Sequence, residues 1–150
     1  MFMDKNLQFC DAVDVSAVAG TLLEGDVVDL GGAGEGPADQ RPMWLNIHVT
    51  TAFTSAGSST NQFQLASDAV AAIAVDGNQT IHTISEPIPK ATLVAGFVLS
   101  LAVPSGIGIP YERYLGVQVV TAVATTTAGA IDAYLSFEPR GYVTFADGAN

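Results

Sequence analysis

Apolar and polar positions alternate along most of this chain. The clearest stretch runs from Tyr111 to Glu138. Leu115, Val117, Val119, Thr121 and Val123 share one parity, as do Ile131, Ala133, Leu135 and Phe137 further on. Asp132, Tyr134, Ser136 and Glu138 take the opposite face. Period two marks strands with one face buried and one turned outward. Thr125 to Gly129 supplies small loop residues and a glycine between the runs. The pattern predicts a long antiparallel hairpin here.

Further strands follow from the same reading. Met43 to Thr50 alternates, with Leu45, Ile47 and Val49 opposite Trp44, Asn46 and His48. Asn61 to Leu65, Gln79 to Ser85, Leu93 to Val103 and Asp26 to Leu30 read as strands. Val15 to Leu23 is a short strand or a poor helix, and strand suits it better. Asp68 to Val75 fits a short helix or another strand. DGN at Asp76 to Asn78 is a turn signal. GGAGEGPADQRP, residues 31–42, is a loop, as is PSGIGIP, residues 104–110. Residues 1–14 read as an N-terminal arm and residues 139–150 as a C-terminal tail, with a last strand at Tyr142 to Phe145. About eight strands with turn signals between them predict an all-β antiparallel sandwich, jelly roll or small barrel. No helix-length amphipathic crossovers are present for a parallel sheet. At 150 residues a single domain is the simplest organisation.

Charge changes the picture. Charged residues make up 13% of the chain, against roughly a quarter in an ordinary soluble domain. A surface so thinly charged belongs to a compact domain coated in Thr, Ser and Gln, or to one covered by copies or partners. Fifteen acidic residues face five basic ones, a net charge of -10. The basic residues Lys5, Arg41, Lys90, Arg113 and Arg140 are scattered, so neither nucleic acid nor an anionic membrane is an expected partner. No apolar run reaches the roughly 18 residues of a spanning helix. The start MFMDKNLQF lacks the plan of a secretory leader.

Candidate chemistry is sparse. Cys10 is the only cysteine, so no internal disulfide is expected, and its acidic neighbours Asp11 and Asp14 raise rather than activate a thiol. His48 and His82, the only histidines, both fall in predicted strands without further Cys or His at ligand spacing. No G-x-S-x-G elbow occurs. The Gly-rich loop lacks the G-K-[ST] ending of a phosphate cradle. Asp11/Asp14 and Asp26/Asp29 have the chemistry for Ca²⁺ but not an EF-hand spacing. Neither catalysis nor a cofactor or metal is expected. The aromatics Phe2, Phe9, Tyr142 and Phe145 lie outside the best-patterned strands. They are candidate interface anchors, or plugs for the ends of the sandwich.

The order of these segments resembles the capsid cement, or decoration, proteins of tailed bacteriophages. The matching pieces are DKNLQFCDA, DVVDLG before a Gly-rich loop, MWLNIHVTTAFTSAG, IPKATLVAGFVLSLAVPSG, ERYLGVQVV and AGAIDAYLSF. They run from Asp4 to about Phe137. The residues 35–42 loop and the tail after Pro139 depart from it. The resemblance implies a jelly-roll-like sandwich that acts as a homo-oligomer, dimer or trimer. It would be made in the host cytoplasm and bound to the outer capsid surface of the virion, bridging major capsid protein subunits. The alternative is a carbohydrate- or receptor-binding jelly-roll module of a tail fibre or lectin type. That reading needs exposed aromatics in a groove, and Trp44 is the only tryptophan.

Overall fold

The computed structural model describes residues 5–139. After a 3-10 turn at Lys5–Leu7 come nine strands: β1 (Gln8–Asp14), β2 (Gly20–Asp29), β3 (Met43–Thr54), β4 (Thr60–Asp68), β5 (Thr80–Ile84), the two-residue β6 (Ile88–Pro89), β7 (Val98–Val103), β8 (Tyr114–Ala122) and β9 (Ala128–Ser136). One sheet has the order β1-β9-β3-β7, the other β2-β8-β4-β5, and β6 adds to β4. All neighbouring strands pair antiparallel. Between long strands the chain changes sheet at every step except β4 to β5. This is a jelly-roll-like β-sandwich. Among the described residues no helix is long and apolar enough to cross a membrane.

The alternation places the core as expected. Leu45, Ile47 and Val49 of β3, Ile131 and Ala133 of β9, Phe63 and Leu65 of β4, and Leu115, Val117 and Val119 of β8 are buried between the sheets. Phe53 and Phe63 meet edge to face across the core, with ring centroids 6.3 Å apart. Each such side chain contributes about 1.5–3 kcal/mol of burial.

The expected hairpin is not formed. β8 and β9 lie in opposite sheets and do not pair. A period of two says that one face of each strand is buried, and two strands meet that demand equally well side by side or face to face. The connecting residues decide it. Thr126 exchanges backbone bonds with Ala17, and the Thr127 amide donates to the Thr54 carbonyl, so the loop is tied to other loops.

Other boundaries shift for local reasons. Gln8–Asp14, within the expected arm, is a strand paired with β9. The two segments expected around Val15 to Leu30 form one strand, β2, broken in register between Glu24 and Val28. Gly25 sits at that break with φ of 68°, and a Cβ there would lie 2.0 Å from the Phe9 carbonyl oxygen. β7 begins at Val98, five residues later than expected, because Val94 to Phe97 turns through Gly96 with φ of 91°. Residues 69–75 are neither helix nor strand; they cross the outer face of β8 and β4, where Ile73 is buried against Gly116. The Asp68 carboxylate turns this loop by accepting from the Val70 and Ala74 amides. The Gln118 amide donates to the Ala74 carbonyl at 2.7 Å and its oxygen accepts from Gln64 at 2.7 Å, which pins the loop to the sheet.

Candidate contact surface

Four connections gather at one end of the sandwich: residues 15–19, 55–59, 85–97 and 123–127. Hydrogen bonds join them in series. Ala17 and Thr126 exchange backbone bonds of 2.9 Å. The Ser55 hydroxyl donates to the Thr125 carbonyl at 2.6 Å, and the hydroxyls of Thr54 and Thr127 meet at 2.9 Å. The Lys90 ammonium donates to the Ser55 carbonyl, and the Phe53 amide to that of Leu93. Beneath the rim, fully buried Asn61 donates to the hydroxyls of Thr121 and Thr126. Loops cross-linked to one another and to a sheet hold a fixed shape.

The rim is apolar and nearly uncharged. Its only charged residues are Glu86 and Lys90. Val18, Val94 and Val123 project from three of its four loops, exposed by 72%, 52% and 77%. Val123 has φ of 72°, a left-handed conformation that a β-branched residue adopts only under strain. The fold therefore holds an aliphatic side chain in water on a backbone that disfavours it.

The opposite end carries Glu35, Asp39, Arg41, Glu112 and Arg113 in loops 30–42 and 104–113. Asp39 joins these loops by accepting from the amides of Gly36, at 2.7 Å, and Gly106, at 2.6 Å. Those donors hold its carboxyl below the usual range. Arg113 grips Asp29 with two bonds of 3.0 and 2.9 Å. Asp11, Asp14, Glu24, Asp26 and Asp29 line the β1–β2 side. Charge is thus segregated away from the rim.

Phe9, one of the four residues expected as contact anchors or end plugs, does not reach this surface. Phe9 is 2% exposed and packs in the core, because β1 is a sheet strand whose inner positions face the other sheet across the sandwich. Phe2, Tyr142 and Phe145, and the expected last strand, lie outside the described residues. The sequence reading puts all three rim valines in strands, Val123 on the buried parity of its run, but the strands β2, β7 and β8 stop short of them and leave them exposed in loops.

Other groups resolve into structural roles. His82 Nε2 lies 2.7 Å from the Ser67 hydroxyl, the spacing of a nucleophile and base. Ser67 is fully buried, however, and its oxygen also accepts from the Glu112 amide at 3.0 Å. Burial lowers the imidazole's proton affinity. The Cys10 thiol is pushed up to about 12 by burial and by Glu24, Asp132 and Asp26, a different set of acids from its sequence neighbours. His48 Nδ1 and Asp132 are 3.5 Å apart, a marginal contact. Asp14 and Asp29 cap the Ser16 and Gly31 amides. Among the described residues no three His, Cys, Asp or Glu side chains converge to hold a metal ion.

No curated protein matches the chain. The Bbp16 family model matches residues 10–135, which covers β2 to β8 entirely and nearly all of β1 and β9. The chain belongs to the Bbp16 family.

Proposed function

We propose that this chain is a structural virion protein that cements the outer surface of a tailed-bacteriophage capsid. It bridges major capsid protein subunits, with copies of itself as further partners, and involves neither nucleic acid nor membrane. The observation that carries this reading is the nearly uncharged, cross-linked rim with its three projecting valines. A fixed apolar patch loses little conformational freedom on docking. Removing a valine from water contributes about 1–2 kcal/mol, so one rim binds weakly and many copies on a lattice hold by avidity. A ligand that binds only assembled shell stabilises that shell by mass action. The net charge of -10 keeps the chain soluble before it docks. The order of the motifs from Asp4 to Phe137 supports the same reading.

A carbohydrate- or receptor-binding role has less support. Among the described residues Phe137 is the one exposed aromatic side chain, and the Arg41 guanidinium lies over its ring at 5.4 Å.

The test is to mix purified chain with mature shells that lack it and pellet the shells. Co-pelleting, with shells that survive hotter treatment, is the expected result. Chain left in the supernatant at saturating concentration rejects the proposal.

A further inference from the structure

His82 Nδ1, at the charged end of the sandwich, is buried with no hydrogen-bond partner among the described residues. The other ring nitrogen, Nε2, lies 2.7 Å from the Ser67 hydroxyl, whose oxygen already accepts from the Glu112 amide. A neutral imidazole suits this seat, because Nε2 and the hydroxyl need only one proton between them. An imidazolium does not. Both its nitrogens donate. Nδ1–H would then be buried without an acceptor, and the Ser67 hydrogen would be turned away from Nε2. An unpaired buried donor is costly.

The groups that face His82 offer the charged ring a second place. The segment before β8 contributes Tyr111, stacked on the imidazole, and Glu112, whose carboxylate accepts from the Thr80 hydroxyl of β5 at 2.8 Å. β4 contributes Ser67; its next residue, Asp68, is turned to the Val70 and Ala74 amides. β7, which packs beside β5, carries no charge, and β5 has no other titratable group. Asp39 acts on Tyr111 and is held by Gly36 and Gly106, while Arg113 is paired with Asp29. Glu112 is the charge that acts on His82, and it favours the imidazolium. Tyr111 in turn holds two loops. The Gly34 amide donates to its carbonyl, its hydroxyl donates to the Pro104 carbonyl, and its ring packs close to Gly36 and Gly106.

We infer that His82 is the pin of an acid-released latch: neutral, it sits between Ser67 and Tyr111 and keeps loops 30–42 and 104–113 fixed; protonated, it leaves that seat for the Glu112 carboxylate and frees both loops. Burial lowers the proton affinity of the seated ring, so release sets in as pH falls below 6.5. The rim loops contain no histidine, so acid loosens one end of the sandwich and spares the other. The latch stands on this cluster alone and is independent of what the rim binds.

NMR of the full chain, titrated from about pH 8 to about pH 4, tests it. At the start the Tyr111 ring should shift the His82 ring protons upfield. They should move to unstacked positions at a midpoint below 6.5. At the same midpoint the Gly34, Gly36 and Gly106 amides should exchange about tenfold faster, after correction for the intrinsic pH dependence of exchange. The Ala17 and Thr126 amides of the rim should not change. Glu112→Gln should lower the midpoint by about half a unit, and His82→Gln should remove the transition. Asp39 holds two of the same amides, but its carboxyl lies below the usual range, so its own release comes at lower pH. A His82 ring that titrates while still stacked, or that unstacks with no gain in loop exchange, overturns the inference. So does a midpoint unchanged in Glu112→Gln, or a loop transition that survives in His82→Gln. Rim amides that loosen together with the loops mark general unfolding and overturn it as well.

Discussion

The imidazole of His82 lies flat on the ring of Tyr111, with centroids 3.7 Å apart and planes 12° from parallel. The pair locks the charged end of the sandwich. The Tyr111 hydroxyl donates to the Pro104 carbonyl at 2.7 Å, and its backbone bridges Gly34. Its ring leaves room only for glycine at Gly36, where a Cβ would lie 2.4 Å away. Tyr111→Phe should cost about 1 kcal/mol by losing one hydrogen bond. Tyr111→Ala should cost about 4 kcal/mol by opening a cavity under both loops. Urea denaturation measures both; a Tyr111→Ala cost near that of Tyr111→Phe contradicts the lock.

Glu24 sets a pH dependence. It is buried on the inner side of β2 with its carboxyl pushed up from 4.5 to about 7 by burial and by Asp14. The folded chain therefore holds this proton more tightly than the unfolded one. The stability it contributes is complete below pH 4.5 and is lost as pH rises to about 7. His82 acts the opposite way: its lowered value means stability is lost as pH falls below 6.5. Comparison with Glu24→Gln isolates the carboxyl. The variant should exceed the wild type by about 2 kcal/mol at pH 8 and by almost nothing at pH 4. An equal difference at both values removes this account of Glu24.

Gly25 is required by its backbone and its neighbour together. Gly25→Ala meets a φ of 68° and the Phe9 carbonyl at 2.0 Å. It should destabilise by about 3 kcal/mol or more and loosen β1 from β2. A thermal melt within a degree or two of wild type speaks against that close approach.

Val123 ties stability to the proposed contact role of the rim. Val123→Gly relieves the strain at φ of 72° and should raise stability by about 1 kcal/mol. The same change removes an exposed aliphatic group from the rim and should weaken binding to shells. Gain in stability with unchanged pelleting would leave the strain without a contact role.

Much of the sandwich is legible in the chain because burial on one face writes itself as alternation. Leu45, Ile47, Val49, Leu115, Val117 and Ile131 all lie where their parity puts them. Alternation does not name a strand's neighbour, which is why β8 and β9 read as a hairpin. It also fails on outer faces that loops cover: Gln64 and Gln118 look solvated but are buried under residues 69–79. Phe9 reads as a contact anchor or an end plug rather than a strand position because a bulged strand, with Ala12 at φ of 49°, breaks the period. The rim is the least legible part. Val18, Val94 and Val123 come together only through the exchange of the chain between sheets, and nothing in a valine's identity announces a positive φ.

A density map of a phage particle whose genome encodes this chain tests the proposed function most directly. The account predicts the loops bearing Val18, Val94 and Val123 seated on the joint between major capsid protein subunits, with Ile107 and the charged end turned to solvent. A map in which those three valines face solvent, or in which the shell carries no density for the chain, contradicts it.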